Sequence, residues 1–342
     1  MTAADPDRIL IFDATLGDGG QAPGATMSLS EKVSRARQLD LLGGDIIEAG
    51  FAASSPGDFE AIAAIAAEVE HARVCSLARC VQSDIDRAAE ALKNAKKSRL
   101  HIFLATSALH MEYKLKKSPE QVLRIIEDSV QYAAQRSDAG EFSCEDASRT
   151  DLDFMVAACR LAVENGAKTL NIPDTVGYAQ PEEHAARIAY LRERIDPDVT
   201  ITVHCHNDLG LAVACTLASF QAGARQAEVT LGGIGERAGN AALEEVIMAL
   251  TVRKNYYNLT HGINTEQIYP SARKLARIIG QPIARNKPIV GANAFLHESG
   301  IHQDGVLQNP ETYEIMTPAS IGLAESSLVI GKHSGKSALS AK

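Results

Sequence analysis

No run of about 18 apolar residues occurs in the chain, so the sequence offers no candidate membrane-spanning helix. The first residues, Met1-Thr2-Ala3-Ala4-Asp5-Pro6-Asp7, lack the basic start and apolar stretch of a secretion signal, and a cytoplasmic protein is expected. Cysteine is sparse and scattered. Cys75, Cys80, Cys144, Cys159, Cys205 and Cys215 form neither a zinc-type pairing nor a disulfide-like framework, which fits reduced thiols in a reducing compartment. Positive charge is in deficit: the formal net charge of −9 argues against a general grip on nucleic acid, and neither nucleic acid nor a membrane is expected as a partner. The glycine fingerprint of a dinucleotide-binding fold is also missing.

What is present is ample core material, 45% hydrophobic residues over 342 positions, enough for one large domain and a smaller one. Ile9-Leu10-Ile11-Phe12-Asp13 reads as a strand buried on both faces, and Ser28-Leu29-Ser30-Glu31 has capping-box spacing that opens an amphipathic segment to Leu42. The alternation recurs. Strand-like runs at 45–48, 74–77, 100–105, 141–143, 169–172, 199–204 and 226–230 are each followed by a helical pattern, at 57–69, 84–94, 119–135, 151–165, 181–194, 209–222 and 241–253. Eight strand–helix units in about 250 residues predict an α/β fold of the (β/α)8 TIM-barrel type, with its chemistry on the loops after the strands.

The polar clusters obey that rule. Thr15 to Gln21 follows the first strand, Glu48 closes the second, and His101 lies in the fourth. Ser143 and Glu145 follow the fifth, and Asp174-Thr175 the sixth. Val203-His204-Cys205-His206-Asn207-Asp208 closes the seventh, and two histidines at i and i+2 of a strand face the same side. Such a pair serves equally as a hydrogen-bonded structural pair or as two ligands of one metal ion. After the eighth strand, Gly232 to Asn240 is glycine-rich and leads into a helix; it reads as a flexible turn or as a backbone-lined cradle for an anion or a metal ligand. Glu48 is open to two roles, orienting a neighbouring site residue or pairing as a structural acid.

Longer motifs add a resemblance. Ile46-Ile47-Glu48-Ala49-Gly50-Phe51, His110-Met111-Glu112-Tyr113-Lys114, Glu141-Phe142-Ser143-Cys144-Glu145-Asp146 and Asn171-Ile172-Pro173-Asp174-Thr175-Val176-Gly177-Tyr178 occur in order with the His204 stretch and Gly235 to Asn240. Further on come Asn286-Lys287-Pro288-Ile289-Val290-Gly291, the His297 to Gly305 stretch and Gly331-Lys332-His333-Ser334-Gly335. With them the chain resembles, over nearly its whole length, the isopropylmalate, homocitrate and citramalate synthase family, whose barrels include hydroxymethylglutaryl-CoA lyase; the isopropylmalate branch is the most similar.

The resemblance implies a Claisen-type condensation of acetyl-CoA, as co-substrate, with a 2-oxoacid. In the isopropylmalate branch the oxoacid is 3-methyl-2-oxobutanoate and the product, 2-isopropylmalate, belongs to leucine biosynthesis. It implies a divalent metal (Mg²⁺, Mn²⁺ or Zn²⁺) on Asp18, His204, His206 and Asn240. His101, Ser143, Thr175 and Glu48 would then bind the substrate, and Gly235, Glu236, Arg237 and Gly239 would form the acetyl-CoA loop. Catalysis would fall to Glu145 and to His302 and Tyr313, the last two reaching the partner's site in a homodimer. A barrel domain over 1–255 and a small, mainly helical post-barrel subdomain over 256–342 are expected, without the family's leucine-regulatory domain, as a truncated chain or a short relative. The departure is Asp13-Ala14-Thr15-Leu16-Gly17-Asp18-Gly19-Gly20-Gln21, with Gly17 where the family carries arginine and glycine again at position 20. Loss of that guanidinium leaves two other readings open, a specialised relative acting on a different 2-oxoacid and a non-catalytic metal-binding homologue. A lyase is disfavoured because Gly232 to Asn240 holds no cysteine.

Overall fold

The computed structural model describes residues 5, 7–297, 299–324 and 327–328. Glu298 and the stretch Gly331 to Gly335 therefore lie outside the described residues. Eight strands alternate with eight helices: β1 (Arg8–Asp13), α1 (Leu29–Leu42), β2 (Ile46–Phe51), α2 (Pro56–Glu68), β3 (Arg73–Arg79), α3 (Gln82–Ala91), β4 (Ser98–Ala105) and α4 (Pro119–Ala134). The second half continues with β5 (Glu141–Glu145), α5 (Leu152–Glu164), β6 (Thr169–Asp174), α6 (Pro181–Arg192), β7 (Thr200–Cys205), α7 (Ala212–Gln221), β8 (Gln226–Val229) and α8 (Leu243–Val252). Every neighbouring pair is parallel, and β1 pairs with both β8 and β2, closing the barrel. This is the (β/α)8 architecture that the alternation predicts.

Local chemistry sets the element ends. Ser28 accepts from the amide of Glu31 while Glu31 accepts from that of Ser28, and the same reciprocal box, Ser118 with Gln121, opens α4. Gly43 ends α1 in the left-handed region. Ala61, Ile62, Ile65 and Ala66 form the buried stripe of α2, one helical face packed on strands whose outward residues are equally apolar. After α8 the chain lays β9 (Thr260–His261) against the start of β1 and continues through α9 (Ile268–Ile278), β10 (Leu296–His297), α10 (Gly300–Gln308) and β11 (Ser327–Leu328), β10 and β11 pairing in parallel. Among the described residues no helix is long and apolar enough to cross a membrane.

The inside of the barrel is mixed. Phe12, Ala14, Ile46 and Cys75 form a small apolar cluster. Beside it Arg99 donates to Glu141 Oε2 (2.7 Å) and to Gln226 Oε1 (3.0 Å), so its buried guanidinium is paired. One step of two residues toward the strand ends come His101, Ser143 and Glu228, because side chains of a strand repeat every second position.

A different buried histidine supplies a test of stability. His184, in α6, is 1% exposed and neither ring nitrogen has a hydrogen-bond partner among the described residues. Burial lowers its pKa from 6.5 to about 4, against the pull of Asp174. Its folded-state pKa is depressed, so the unfolded chain takes the proton first and stability falls as pH drops from 6.5 toward 4, by up to about 3 kcal/mol from this group. Denaturant midpoints measured at steps between pH 6.5 and 4 should fall more steeply for the wild type than for His184→Leu; parallel curves would show that the imidazole is not the cause.

Candidate active site

The loops after β1 and β8 are tied to each other before any site residue is placed. Asp13 Oδ1 accepts from the Thr15 amide (2.8 Å), and Thr15 Oγ1 in turn accepts from the Leu231 amide (2.9 Å). Asn240 is brought beside the end of β7 by an antiparallel bridge with His206, and the Ala241 amide donates to Cys205 O (3.0 Å). Close approach then needs a residue without a side chain: a Cβ on Gly235 would stand 2.6 Å from both Asp18 Oδ2 and Asn240 Nδ2. Gly239 holds the other side of the loop, its carbonyl accepting from the Asn207 amide (2.8 Å).

Within this frame Asp18, His204 and His206 offer three ligand atoms all within 4.8 Å of one another. The Nε2 atoms of the two histidines are 2.9 Å apart, and the rings meet edge to face. Burial, followed by the neighbouring His206, pushes His204 well below the usual imidazole range, and burial also lowers His206. Both are neutral near pH 7, the state in which an imidazole can be a ligand. Two ligands about 2.1 Å from one cation at a right angle lie about 3 Å apart, which fits this separation. Asn240 Nδ2 donates to Asp18 Oδ2 (2.5 Å), and Asn240 Oδ1 is buried without a partner. Turning that amide over would put the free oxygen beside Asp18. Two imidazole nitrogens, a carboxylate and an unsatisfied amide oxygen fit a divalent cation.

Behind the histidines stands a row of buried acids. Glu228 Oε1 is 3.2 Å from His204 Nδ1, and its other oxygen accepts from Asn171 Nδ2 (2.9 Å). Burial and the fields of Glu48, Glu141 and Asp18 hold the Glu228 carboxyl well above the usual range. His101 Nδ1 is 3.1 Å from Glu48 Oε1, and its Nε2 is 2.6 Å from Ser143 Oγ. Burial alone would lower His101, but Glu141 and Glu48 outweigh it and the net shift is upward. The other oxygen of Glu48 explains the glycine in the first loop. A Cβ on Gly17 would be 2.0 Å from Glu48 Oε2 and 2.8 Å from its Cδ, so the carboxylate lies in the volume that a side chain at position 17 would use.

These groups surround a cavity of about 310 Å³ at the carboxyl ends of the strands. Asp18, Glu48, His101, Ser143, Glu145, Thr175, His204, His206, Glu236 and Arg237 all line it. Glu145 is met by Lys114 Nζ (2.5 Å). Arg237 is engaged at the rim: it donates to both oxygens of Asp208, each at 2.9 Å, and to Thr175 O (2.8 Å). Asn240, Gly235 and Gly239 shape the ligand cluster without lining the cavity. His302 and Tyr313 are not brought to it. Their rings pack together with centroids 4.4 Å apart in the post-barrel segment, both exposed. Asn171, Glu228, Gln21 and the apolar wall of Leu77, Phe103 and Pro173 complete the lining and were absent from the expected set. Asn171 and Glu228 could have been found by counting every second position inward along β6 and β8.

Comparison with known proteins identifies the family. The family described as HMGL-like matches residues 8–275, and one described as homocitrate synthase post-HMGL domain-like matches residues 289–342. The chain is 60% identical over 341 residues to the 2-isopropylmalate synthase of Solidesulfovibrio magneticus, covering 99% of this chain and 66% of that relative. It is 52% identical to 2-isopropylmalate synthase 1 of Caldanaerobacter subterraneus, covering 98% of this chain and 85% of the relative. The HMG-CoA lyase structure from Bacillus subtilis superposes with a TM-score of 0.70 at 20% identity, over 82% of this chain and 97% of that one, a likeness of fold. On these matches the chain belongs to the HMGL-like family, within its 2-isopropylmalate synthase group.

Proposed function

We propose that this chain carries the active site of a metal-dependent acyltransferase that condenses acetyl-CoA with a 2-oxoacid, 3-methyl-2-oxobutanoate giving 2-isopropylmalate. The observation that carries the reading is the convergence of Asp18, His204, His206 and Asn240 at one edge of a cavity, in a chain whose relatives bear that enzyme's name. Asp18, His204, His206 and Asn240 would hold a divalent cation, which would supply Lewis acidity to the electrophile.

The remaining steps fall to the chain's own groups. Leu77, Phe103 and Pro173 form an apolar wall suited to a branched side chain, while Ser143, Thr175 and Asn171 offer polar atoms to the carboxylate end. The acetyl methyl must lose a proton before its carbon bonds to the oxo carbon. Glu145, on the cavity wall, and His302, supplied by a second subunit, are the bases in this reading. The new carbon–carbon bond leaves negative charge on the former oxo oxygen, and the Ser143 hydroxyl, backed at 2.6 Å by His101 Nε2, supplies a donor on that side. Water then cleaves the thioester and coenzyme A leaves as the thiol.

Gly17 favours a second reading, in which the oxoacid differs. With no side chain at position 17, Glu48 occupies that space, and the wall lacks the cation that the family resemblance implies. A substrate carrying its own positive or donor group would suit that wall better than an isopropyl group.

Release of free thiol from acetyl-CoA, followed across a panel of 2-oxoacids, tests the proposal and separates the readings. Turnover should be greatest with 3-methyl-2-oxobutanoate, and His204→Ala should lose both turnover and the metal retained after gel filtration. Full metal retention in that variant would refute the ligand assignment.

The shared-site part is tested by mixing. Inactive His302→Ala and Asp18→Ala proteins should recover part of the wild-type rate through hybrid dimers, whereas proven subunit exchange with no recovery would count against a site built from two chains.

Gly17→Arg addresses the second reading. A guanidinium there pairs with Glu48 once that side chain swings aside, and it adds a preorganised cation for the developing oxyanion. The expectation is a rise in kcat of about 10²-fold with 3-methyl-2-oxobutanoate and a smaller change in KM. An unchanged or lower rate, with a gain on no other oxoacid, would favour the altered-substrate reading.

A further inference from the structure

Asn240 stands at the end of a loop whose outer side borders a cavity. Gly232 and Ile234, within that loop, border a second cavity of about 230 Å³, walled on its far side by Leu275 of α9, by Ile279 just beyond that helix and by Val290. Gly232 adopts φ +74° and Gly233 φ +69°, left-handed conformations that glycine reaches without steric cost. The cavity thins the dispersion contacts on that side, so polar anchors contribute to where the loop lies. On the inner side the anchor is Thr15, which accepts from the Leu231 amide. The next amide, Gly232 N–H, donates to Glu244 Oε2 at 2.9 Å.

Glu244 is an unusual anchor. It lies in the first turn of α8 and is fully buried, and its Oε1 makes no hydrogen bond. Its compensation comes from outside the barrel: Lys287 Nζ is 3.5 Å from Glu244 Oε1 and also contacts Glu245. Lys287 is itself fixed by a tight turn, its carbonyl accepting from the Gly291 amide (3.0 Å), where a Cβ on Gly291 would be 2.5 Å from that same oxygen. Burial raises the Glu244 carboxyl and the ammonium of Lys287 opposes the rise. A buried acid that loses its paired cation is strongly disfavoured and must take a proton or leave its place.

We propose that Lys287, reaching from the post-barrel segment to Glu244, is a positioning residue for the loop over 231–240, and that this pair fixes the place from which Asn240 serves the site. The proposal rests on the metal reading only for its effect on Asn240; the order of the loop is independent of it. The post-barrel segment thereby contributes to the site of its own barrel, through one ion pair and one backbone hydrogen bond.

The test compares the full-length wild type with Lys287→Met, Glu244→Gln and the double variant carrying both. Hydrogen–deuterium exchange of peptides spanning 231–240 and the dissociation constant for Mn²⁺ are measured on each. Lys287→Met leaves the acid uncompensated; loop exchange should rise and Mn²⁺ affinity fall, each by about tenfold or more. In the double variant the neutral amide still accepts from Gly232 and no buried charge remains, so both quantities should return to within about threefold of wild type. A general loss of packing would not be repaired by the second change. Unchanged exchange in Lys287→Met, or no recovery in the double variant, overturns the proposal. Should Lys287→Met fail to fold, Lys287→Arg, which keeps the charge, and the double variant must both show wild-type exchange. A wild type that binds no Mn²⁺ refutes the metal reading, and the exchange comparison still decides the role of Lys287.

Discussion

Closure of the sheet, through the pairing of β1 with both β2 and β8, is the constraint from which the site follows. A parallel barrel sends every second side chain inward and brings all strand ends to one face. The turn after β1, which carries Asp18, thereby meets the end of β7 and the loop after β8, although these stand about 190 and 220 positions apart in the sequence. The Thr15–Leu231 hydrogen bond and the His206–Asn240 bridge finish what closure begins. No local propensity encodes such a meeting; it exists once the strands pair.

The same closure forces ionisable groups into a volume with little water. Glu48, Glu141 and Glu228 share the barrel interior with Arg99 and His101, more acids than bases, and the imbalance is met in three ways. Arg99 pairs with Glu141 at 2.7 Å, His101 gains proton affinity from its acid neighbours, and Glu228 is pushed toward its neutral form by burial and by the other carboxylates. A cation placed on Asp18, His204 and His206 would relieve that excess of acid at its open end. The electrostatics of the barrel interior and the ligand geometry thus point to the same kind of occupant.

Glycine 17 shows how a small loss is absorbed. In the sequence it reads only as a missing guanidinium, with a consequence for the stability of an oxyanion. In the folded chain Glu48 Oε2 lies where a Cβ at position 17 would stand, while Glu48 Oε1 remains with His101. A carboxylate on the wall of the cavity thus occupies the volume that a side chain at position 17 would use, and the chemistry of that wall depends on both residues together.

The alternation of eight apolar strand segments with eight helical ones was legible residue by residue, because burial on both faces leaves strands such as Thr169–Asp174 almost without solvent-facing positions, while helices keep a single buried stripe. The pairing of His204 with His206 was legible too, since a period of two puts both on one side of a strand. Legible from ordered motifs, though not from spacing, was the company of Asp18 and Asn240. Asn171 and Glu228 lay within reach of the same period-two count, yet polar residues in a strand carry no mark of which side faces the cavity until the barrel's register is known. The place of Glu48 beside Gly17 and the reach of Lys287 to Glu244 had no sequence signal at all. Those contacts join residues 31 and 43 positions apart through side-chain rotamers and loop paths, quantities that only the packed tertiary structure decides.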